Sequence, residues 1–553
     1  MPKTYQNPRY PYRRSDDQYA GTAHHPVIIV GAGLVGLTAA VDLASRGVAS
    51  VVLDDDDTVS FGSRAICFSK RSLEILDRLG LGAKLKEKGV TWHTGKVFFR
   101  DRMIYDFDLL PEGGHCWPAF INLQQYYAEE WLVERAESSG LVDLRWKNRV
   151  VGVEPADGGA AVAIDTPDGP YRLTCDYLLA ADGAHSSVRK ALGLSFSGQV
   201  FLDRFLIADV VMQADFPSER WFWFDPPFHR GQSALLHRQP DNVWRIDLQL
   251  SSRCDPEEEK RPERVIPRLR AMLGEEIDFE LEWVSVYTFQ CRRLERFRHG
   301  PVIFLGDSAH LVSPFGARGG NGGLQDADNL CWKLAAVLKG EAPDRLLDSY
   351  DAERIPAAEE NILNSTRSTD FITPKNDVSR LFRDATLELA ERHPFARALV
   401  NSGRLSQPAI LTGSPLISDE GPGHAEAIPP GAPCPDVPLV RGEETRWLLH
   451  LVTGGFFGLH YKGPEDPANS RRELARLAEA EPDLPVMTIL SEGSDPADGS
   501  DSWVDAEGLF AKLYGARPGS FLLVRPDQHV AAHWPLLSSA AVTDAIRKSL
   551  SLE

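Results

Sequence analysis

The spacing of apolar positions predicts the order of elements before any chemistry is considered. Residues 26 to 54 read β-α-β: the apolar run VIIV, a helix-period segment from Leu34 to Ser45, a stop at Gly47 and a second strand, SVVLD. SKRSLEILDRLGLGAKLKEKG keeps helical spacing, strand patterns follow around GKVFFR and MIYDFDL, and a helix is predicted near Gln125 to Ser138. From about 195 to 295 the pattern is strand-like and aromatic (FLIADVVM, RWFWFD, SALLHRQ, VWRIDLQL, LEWVSVYTFQ), which predicts a sheet. Long helices follow from Asp344 to Arg367. Pro and Gly then become dense between about 405 and 438, the best boundary in the chain. Beyond it, WLLHLV, FFGLHY, a helix at 469–480, PVMTIL, a short helix near 505–514 and FLLVRPDQHVAAHW form a compact α/β pattern.

Composition narrows the function classes. With 553 residues the chain is long enough for several domains, and a net charge of −19 disfavours nucleic acid or an anionic membrane as partner. No apolar run approaches the roughly 20 residues a membrane helix needs. Residues 1–25 have no apolar centre and read as a flexible or surface-draped arm, with His24 and His25 as surface residues. The seven cysteines are scattered without C-x-x-C, which predicts reduced thiols in a cytoplasmic protein, no zinc site and no thiol exchange.

Three motifs carry chemistry. Gly31-x-Gly33-x-x-Gly36 follows a strand and opens a helix at Leu34 and Val35, the context a pyrophosphate needs; alone it does not separate NAD from FAD. Asp54 ends the second strand, where a carboxylate can bind ribose hydroxyls and would repel a 2′-phosphate; the acids after it, from Asp55, extend the charged run. Asp182-Gly183 ends DYLLAADGAHSSVRKALG, with Arg189 beyond it as a cation suited to a pyrophosphate. In GPVIFLGDSAHLVSPFGARGGNGGLQDADNLCWKL, a strand leads to Gly306-Asp307, a glycine-rich bend and a helix start. That order aims a carboxylate, free N–H groups and a positive helix end at one small volume.

Taken together, the three ordered motifs resemble the single-component FAD-dependent aromatic hydroxylases (group A flavoprotein monooxygenases), over roughly residues 26 to 400. The resemblance implies an α/β fold: a Rossmann-type FAD-binding domain (26–95, 120–194 and 296–365) with an inserted β-sheet substrate domain (96–119 and 195–295). A helical segment (366–404), a linker (405–435) and a thioredoxin-like C-terminal domain (436–553) follow, the last with a dimerising or stabilising role. It implies FAD contacts from Gly31, Gly33, Leu34, Val35, Gly36, Asp54, Asp55, Arg64, Gln125, Val150, Asp182, Gly183, Gly306 and Asp307, and from Pro314, Gly319, Gly320 and Asn321 around the isoalloxazine. Arg318 stands where many members have a smaller residue, either adding positive charge or pointing to solvent. No second G-x-G-x-x-G follows a strand, in keeping with transient docking of NAD(P)H.

The implied activity is NAD(P)H- and O2-dependent hydroxylation of a phenolic substrate by way of a flavin C4a-hydroperoxide, in a homodimer. Epoxidation, dehydrogenation or halogenation on the same scaffold is the alternative; the W-F-W-F at 221–224 lacks the halogenase continuation. Tyr287 resembles an active-site tyrosine of phenol hydroxylase, with Gln290 as a polar partner and His237 as the group whose ordinary pKa suits deprotonating a phenol. Trp221, Trp223, Arg245 and Phe315 are the candidate pocket residues. RPDQH in the C-terminal region reads as a hairpin turn.

Overall fold

The strands that precede the three motifs become neighbours in one parallel sheet. In the computed structural model, which describes residues 4–19, 21–62, 64–400, 405–418, 427–464, 467, 469–494 and 502–552, the order is Val302–Phe304, Tyr171–Ala180, Ala23–Val30, Ser50–Leu53 and Val142–Arg145. Phe304, Ala180, Val30 and Leu53 are successive register partners, so the residues after each strand leave the same carboxyl edge side by side. The ends of the three central strands and of Val302–Phe304, which read VIIV, LLA, VVL and VIF, are apolar and buried, as strands inside a layered sheet require. Helices Leu34–Ser45, Gln125–Ser139 and Gly319–Leu338 supply the cover.

The second sheet has eight strands in the order His310–Leu311, Phe279–Arg293, Ser197–Met212, Val243–Leu250, Ser233–Arg238, Arg220–Phe224, Thr94–Phe99 and Arg102–Asp108. One face packs on helix Pro262–Leu273 through Leu206, Ala208, Trp244 and Ile246. The other, inner face carries Val97, Phe99, Phe222, Phe224 and Phe289 against Phe315 and helices Asp348–Ile372 and Asp377–Ala390. Helix Asp348–Ile372 runs on past residue 365, so the helical segment continues the FAD-binding domain without a break. Because His310–Leu311 pairs with Arg292 and Arg293, the substrate sheet passes directly into the glycine-rich bend.

The C-terminal region forms a seven-stranded mixed sheet, with parallel strands Phe457–Lys462, Val486–Ser491 and Ser502–Asp505 at its centre and helices Ser470–Ala480 and Ser539–Ser549 packed together on it. The mixed sheet with its two helices agrees with the compact α/β pattern read from the sequence. The RPDQH turn lies between strands Phe521–Val524 and Val530–Trp534, and it does more than reverse the chain. Arg525, wholly buried, donates from Nη2 to Glu353 of the long helix at 3.0 Å. Lys333 of helix Gly319–Leu338 donates to the same carboxylate at 2.6 Å.

Two segments refine their sequence reading. The N-terminal arm, expected to be flexible or surface-draped, is draped over residues 4–19: Tyr5 stacks on Tyr126 at 4.0 Å, Tyr10 stacks on Trp146 at 4.5 Å, and Arg145 donates to Asp17. The aromatic residues of the arm find aromatic partners, and that burial offsets the entropy of ordering it. The Pro/Gly-rich stretch, expected as a linker, packs Leu405 with Trp92 and Phe120, and Ser406 N–H donates to Gly316 O at 2.8 Å. Residues 419–426 of that stretch lie outside the described residues.

Candidate active site

The carboxyl edge of the parallel sheet gathers the three motifs. Gly31 has φ +103°, and a Cβ there would lie 2.6 Å from Ala181 O; one on Gly36 would lie 2.0 Å from Gly31 O. Both positions therefore exclude any side chain, which brings the first helix against strand and loop. Asp54 folds back onto this loop, its Oδ2 accepting from Ala32 N–H at 2.6 Å, and burial pushes its carboxyl up to about 6. Asp55 is exposed beside it.

Asp182 Oδ2 accepts from Val188 N–H at 3.1 Å, while its buried Oδ1 has no partner. Gly183 has φ +72°. Arg189 turns away, donating to Ser308 O and Ala184 O.

Gly306 has φ +58°, and a Cβ there would lie 3.0 Å from Val35 Cγ2 and 3.6 Å from Gly323 Cα. Beyond it, Asp307 is exposed and aims at the helix start: a Cβ on Gly319 would lie 4.0 Å from Asp307 Oδ1. Crowding around Asp307 raises its pKa, and His310 and Arg64 oppose the rise. Gly319, Gly320 and Asn321 open the helix and so present the unbonded N–H groups of its first turn. Asn321 is spoken for: its Nδ2 donates to Cys67 O and its Oδ1 accepts from Ser69 N–H, which pins the helix start to strand Cys67–Ser69. Arg318 is 2% exposed and donates to Phe315 O, so it braces the bend from within rather than pointing to solvent.

FAD fits this edge on the structure's own terms. There is an orphaned carboxylate oxygen at Asp182, an exposed carboxylate at Asp307, a helix start beside it, and a glycine loop closed by Asp54. Gln125 Oε1 accepts from Ala65 N–H at 3.0 Å and so holds the loop that carries the exposed Arg64. Val150 lies in the sheet core, paired with Ile164. The sequence reading missed Glu129. Wholly buried, it accepts from Leu34 N–H at 3.1 Å, Ser60 N–H at 2.7 Å and Gln125 at 2.7 Å, tying the first helix to loop and neighbour. Its signal was the four-residue spacing from Gln125, which puts both on one helix face.

The substrate sheet presents its inner face to this edge. Tyr287, 41% exposed, lies one residue pair from Phe289, whose ring meets Phe315 at 5.2 Å; Phe205 meets Phe315 at 5.0 Å. Burial pushes the Tyr287 phenol up to about 12, Asp307 adds to the rise and Arg64 opposes it. Gln290, of opposite parity on the strand, falls on the other face and accepts from Arg292. Trp221 and Trp223 are corrected the same way. They alternate with Arg220, Phe222 and Phe224, and they pack with Phe98, Phe216 and Phe228 on the outer face.

Farther along the inner face, Arg220, His237, Arg245, Asp209 and Trp283 stand directly opposite one another across five strands. Arg245 Nε donates to Asp209 at 3.0 Å. His237 Nδ1 lies 3.9 Å from Cys67 Sγ, and burial, then Arg220 and Arg245, hold its pKa well below 6.5. Asp247 sits in the next row, opposite Leu235 and Ile207, its carboxyl pushed up to about 6 by burial.

Residues 24–365 match the family model described as FAD binding domain. The chain is 31% identical to 6-methylpretetramide 4-monooxygenase of Streptomyces rimosus, over 92% of this chain and 90% of that one. It is 30% identical to 4-methyl-5-nitrocatechol 5-monooxygenase of a Burkholderia species, over 95% and 97%. The fold is shared with the flavin-dependent monooxygenase PieE, solved with FAD and substrate, at a TM-score of 0.81 and 22% identity over 96% of this chain and 100% of that one. The chain thus belongs to the FAD binding domain family, among its FAD-dependent aromatic hydroxylases.

Proposed function

We propose that the protein uses NAD(P)H and O2 to add a hydroxyl to a phenolic ring held against the inner face of the substrate sheet. One observation carries this reading: Tyr287, Arg64, Asp307 and Pro314 are all exposed where that face meets the helix start at Gly319. Bound FAD would supply hydride acceptance and O2 activation. The rest falls to the chain. Asp307 and the first-turn N–H groups bind and orient the cofactor, and Phe205, Phe289 and Phe315 exclude water from the reacting face. Tyr287 stays protonated and donates a hydrogen bond.

For the phenol proton, the sequence points to His237, but its surroundings favour another group. The Cys67 thiol, pushed up to about 11 by burial, keeps its proton and faces His237 Nδ1. That leaves Nε2 as the N–H, a donor. Asp247, ionised at neutral pH, is then the proton acceptor. The lack of a second dinucleotide motif supports transient NAD(P)H docking. We read the protein as a cytoplasmic homodimer. Val378, Leu381, Phe382, Phe395 and Leu399 expose an apolar face suited to a partner copy. Among the described residues no helix is long and apolar enough to cross a membrane.

The test is NADH and NADPH oxidation and O2 uptake with a panel of phenols under labelled dioxygen. Phenol-stimulated oxidation, with one labelled oxygen on the product ring, is expected. Oxidised product without ring oxygen overturns the reading.

A further inference from the structure

The inner face of the substrate sheet holds a set of buried polar atoms that the protein leaves without partners. Arg220 Nη1, His237 Nε2 and Asp247 Oδ1 each lack a hydrogen-bond partner, and Arg220 and His237 are 7% and 3% exposed. They are close together by register. Arg220 stands opposite His237, His237 opposite Arg245, and Asp247 follows two residues after Arg245 on the same face. Burying such atoms unpartnered costs stability, and three on one face of a sheet call for an occupant.

Their chemistry specifies that occupant. Arg220 offers N–H donors and positive charge; burial disfavours that charge, and the nearby acid, Asp247, opposes the effect only through space, since its Oδ1 and Arg220 Nη1 both lack a partner. In the tautomer whose Nδ1 accepts from the Cys67 thiol, His237 presents its unpartnered Nε2 as an N–H donor. Asp247 presents an acceptor. Two donors with a positive charge beside one acceptor match an ionised oxygen flanked by a hydroxyl. Ring walls continue beside them in Phe222 and Leu235.

We propose that Arg220 and His237 bind an ionised oxygen acid on the aromatic substrate, a carboxylate or an acidic enolate, whose neighbouring phenol hydroxyl donates to Asp247. The inference rests on the hydroxylase reading above and names its substrate class: hydroxy-acid or enolised dicarbonyl aromatics rather than simple phenols.

Titration of the FAD-loaded protein, followed by the shift in flavin absorbance, tests it with four probes. These are 2,4-dihydroxybenzoate, its methyl ester, resorcinol, and the enolate of 2-acetylcyclohexane-1,3-dione. The wild type is expected to bind the carboxylate or the enolate at least about tenfold more tightly than the uncharged ester, the scale of one charge-assisted hydrogen bond. Whichever anion binds identifies the source. Arg220→Gln should erase that preference while ester affinity stays within about twofold, which also reports an intact fold. Should Arg220→Gln fail to fold, Arg220→Lys is read instead, and retention of most of the preference is expected.

Equal binding of acid and ester by the wild type overturns the proposal, as does a preference that survives Arg220→Gln, or no response to either anion. The two readings fail separately. Ester hydroxylated as well as acid sinks this inference alone. Anion preference without ring oxygen in any product sinks the hydroxylase reading alone.

Discussion

Two of the buried charge clusters in this molecule are finished differently. At the root of the C-terminal domain, Glu353, Arg525, Asp527, Lys333 and Asn329 satisfy one another, and Trp332 Nε1 adds a bond to Asp527 at 3.1 Å. Burial would raise the Glu353 carboxyl, but Arg525 and Lys333 outweigh it and hold it well below the usual carboxylate range. No buried side-chain polar atom of those five lacks a partner. On the substrate sheet, Arg220, His237 and Asp247 each keep one that does. A satisfied cluster fixes one arrangement of domains. An unsatisfied one carries a stability cost that an occupant with matching donors and acceptors offsets.

The largest effect should come from breaking the satisfied cluster. Arg525→Ala leaves Glu353 and Asp527 buried with their main cation gone, and it is expected to destabilise the protein by about 3–5 kcal/mol. The midpoint of urea unfolding checks this. Because Asn329 and Lys333 lie on the helix that begins at Gly319 beside Asp307, FAD should be released earlier in the same transition. A loss under about 1 kcal/mol would show that the cluster is idle and remove the contrast.

The contrast was only half legible in the sequence. The cofactor edge was readable because it is made of backbone: glycines at 31, 33 and 36 and acids at 54, 182 and 307 sit where strands end, and local order alone places them. RPDQH was readable as a turn but not as a plug, because Arg525 meets Glu353 172 residues away. On the substrate sheet the strands were found but their phase was not. RWFWF offers two alternations of nearly equal hydrophobicity; the tryptophans take the outer face, and Arg220 with Phe222 and Phe224 the inner one. Cys67 and Asp247 carry no motif at all. They become functional candidates only once tertiary structure sets them beside His237.

Titration of His237 sharpens the second half of the comparison. Burial, then Arg220 and Arg245, hold its folded pKa well below 6.5. The unfolded imidazole therefore takes up a proton below about pH 6.5 that the folded one refuses. Its contribution is complete above that pH and drains away as pH falls toward the folded pKa, by at most about 1.4 kcal/mol per pH unit. His237→Gln should flatten the fall in unfolding free energy between pH 6.5 and 5. Identical slopes for variant and wild type would mean that His237 is already protonated in the fold.

The smallest effect should lie at the rim of the domain junction that Arg525 anchors. There His450, 44% exposed, bonds Asp77 at 2.7 Å, and Asp77, then Cys116, raise its pKa to about 10. The sign is opposite to that of His237. The raised pKa gives a contribution that is complete below about pH 6.5 and lost as pH rises through about 10. Water screens the pair, so its worth is that of an exposed ion pair, about 0–1 kcal/mol. His450→Gln should move the thermal midpoint by no more than about 2 °C at pH 6, and by nothing measurable above pH 10.5. A larger shift at pH 6 would place part of the docking energy at the rim, and the buried cluster would then share the work of holding the C-terminal domain instead of carrying it alone.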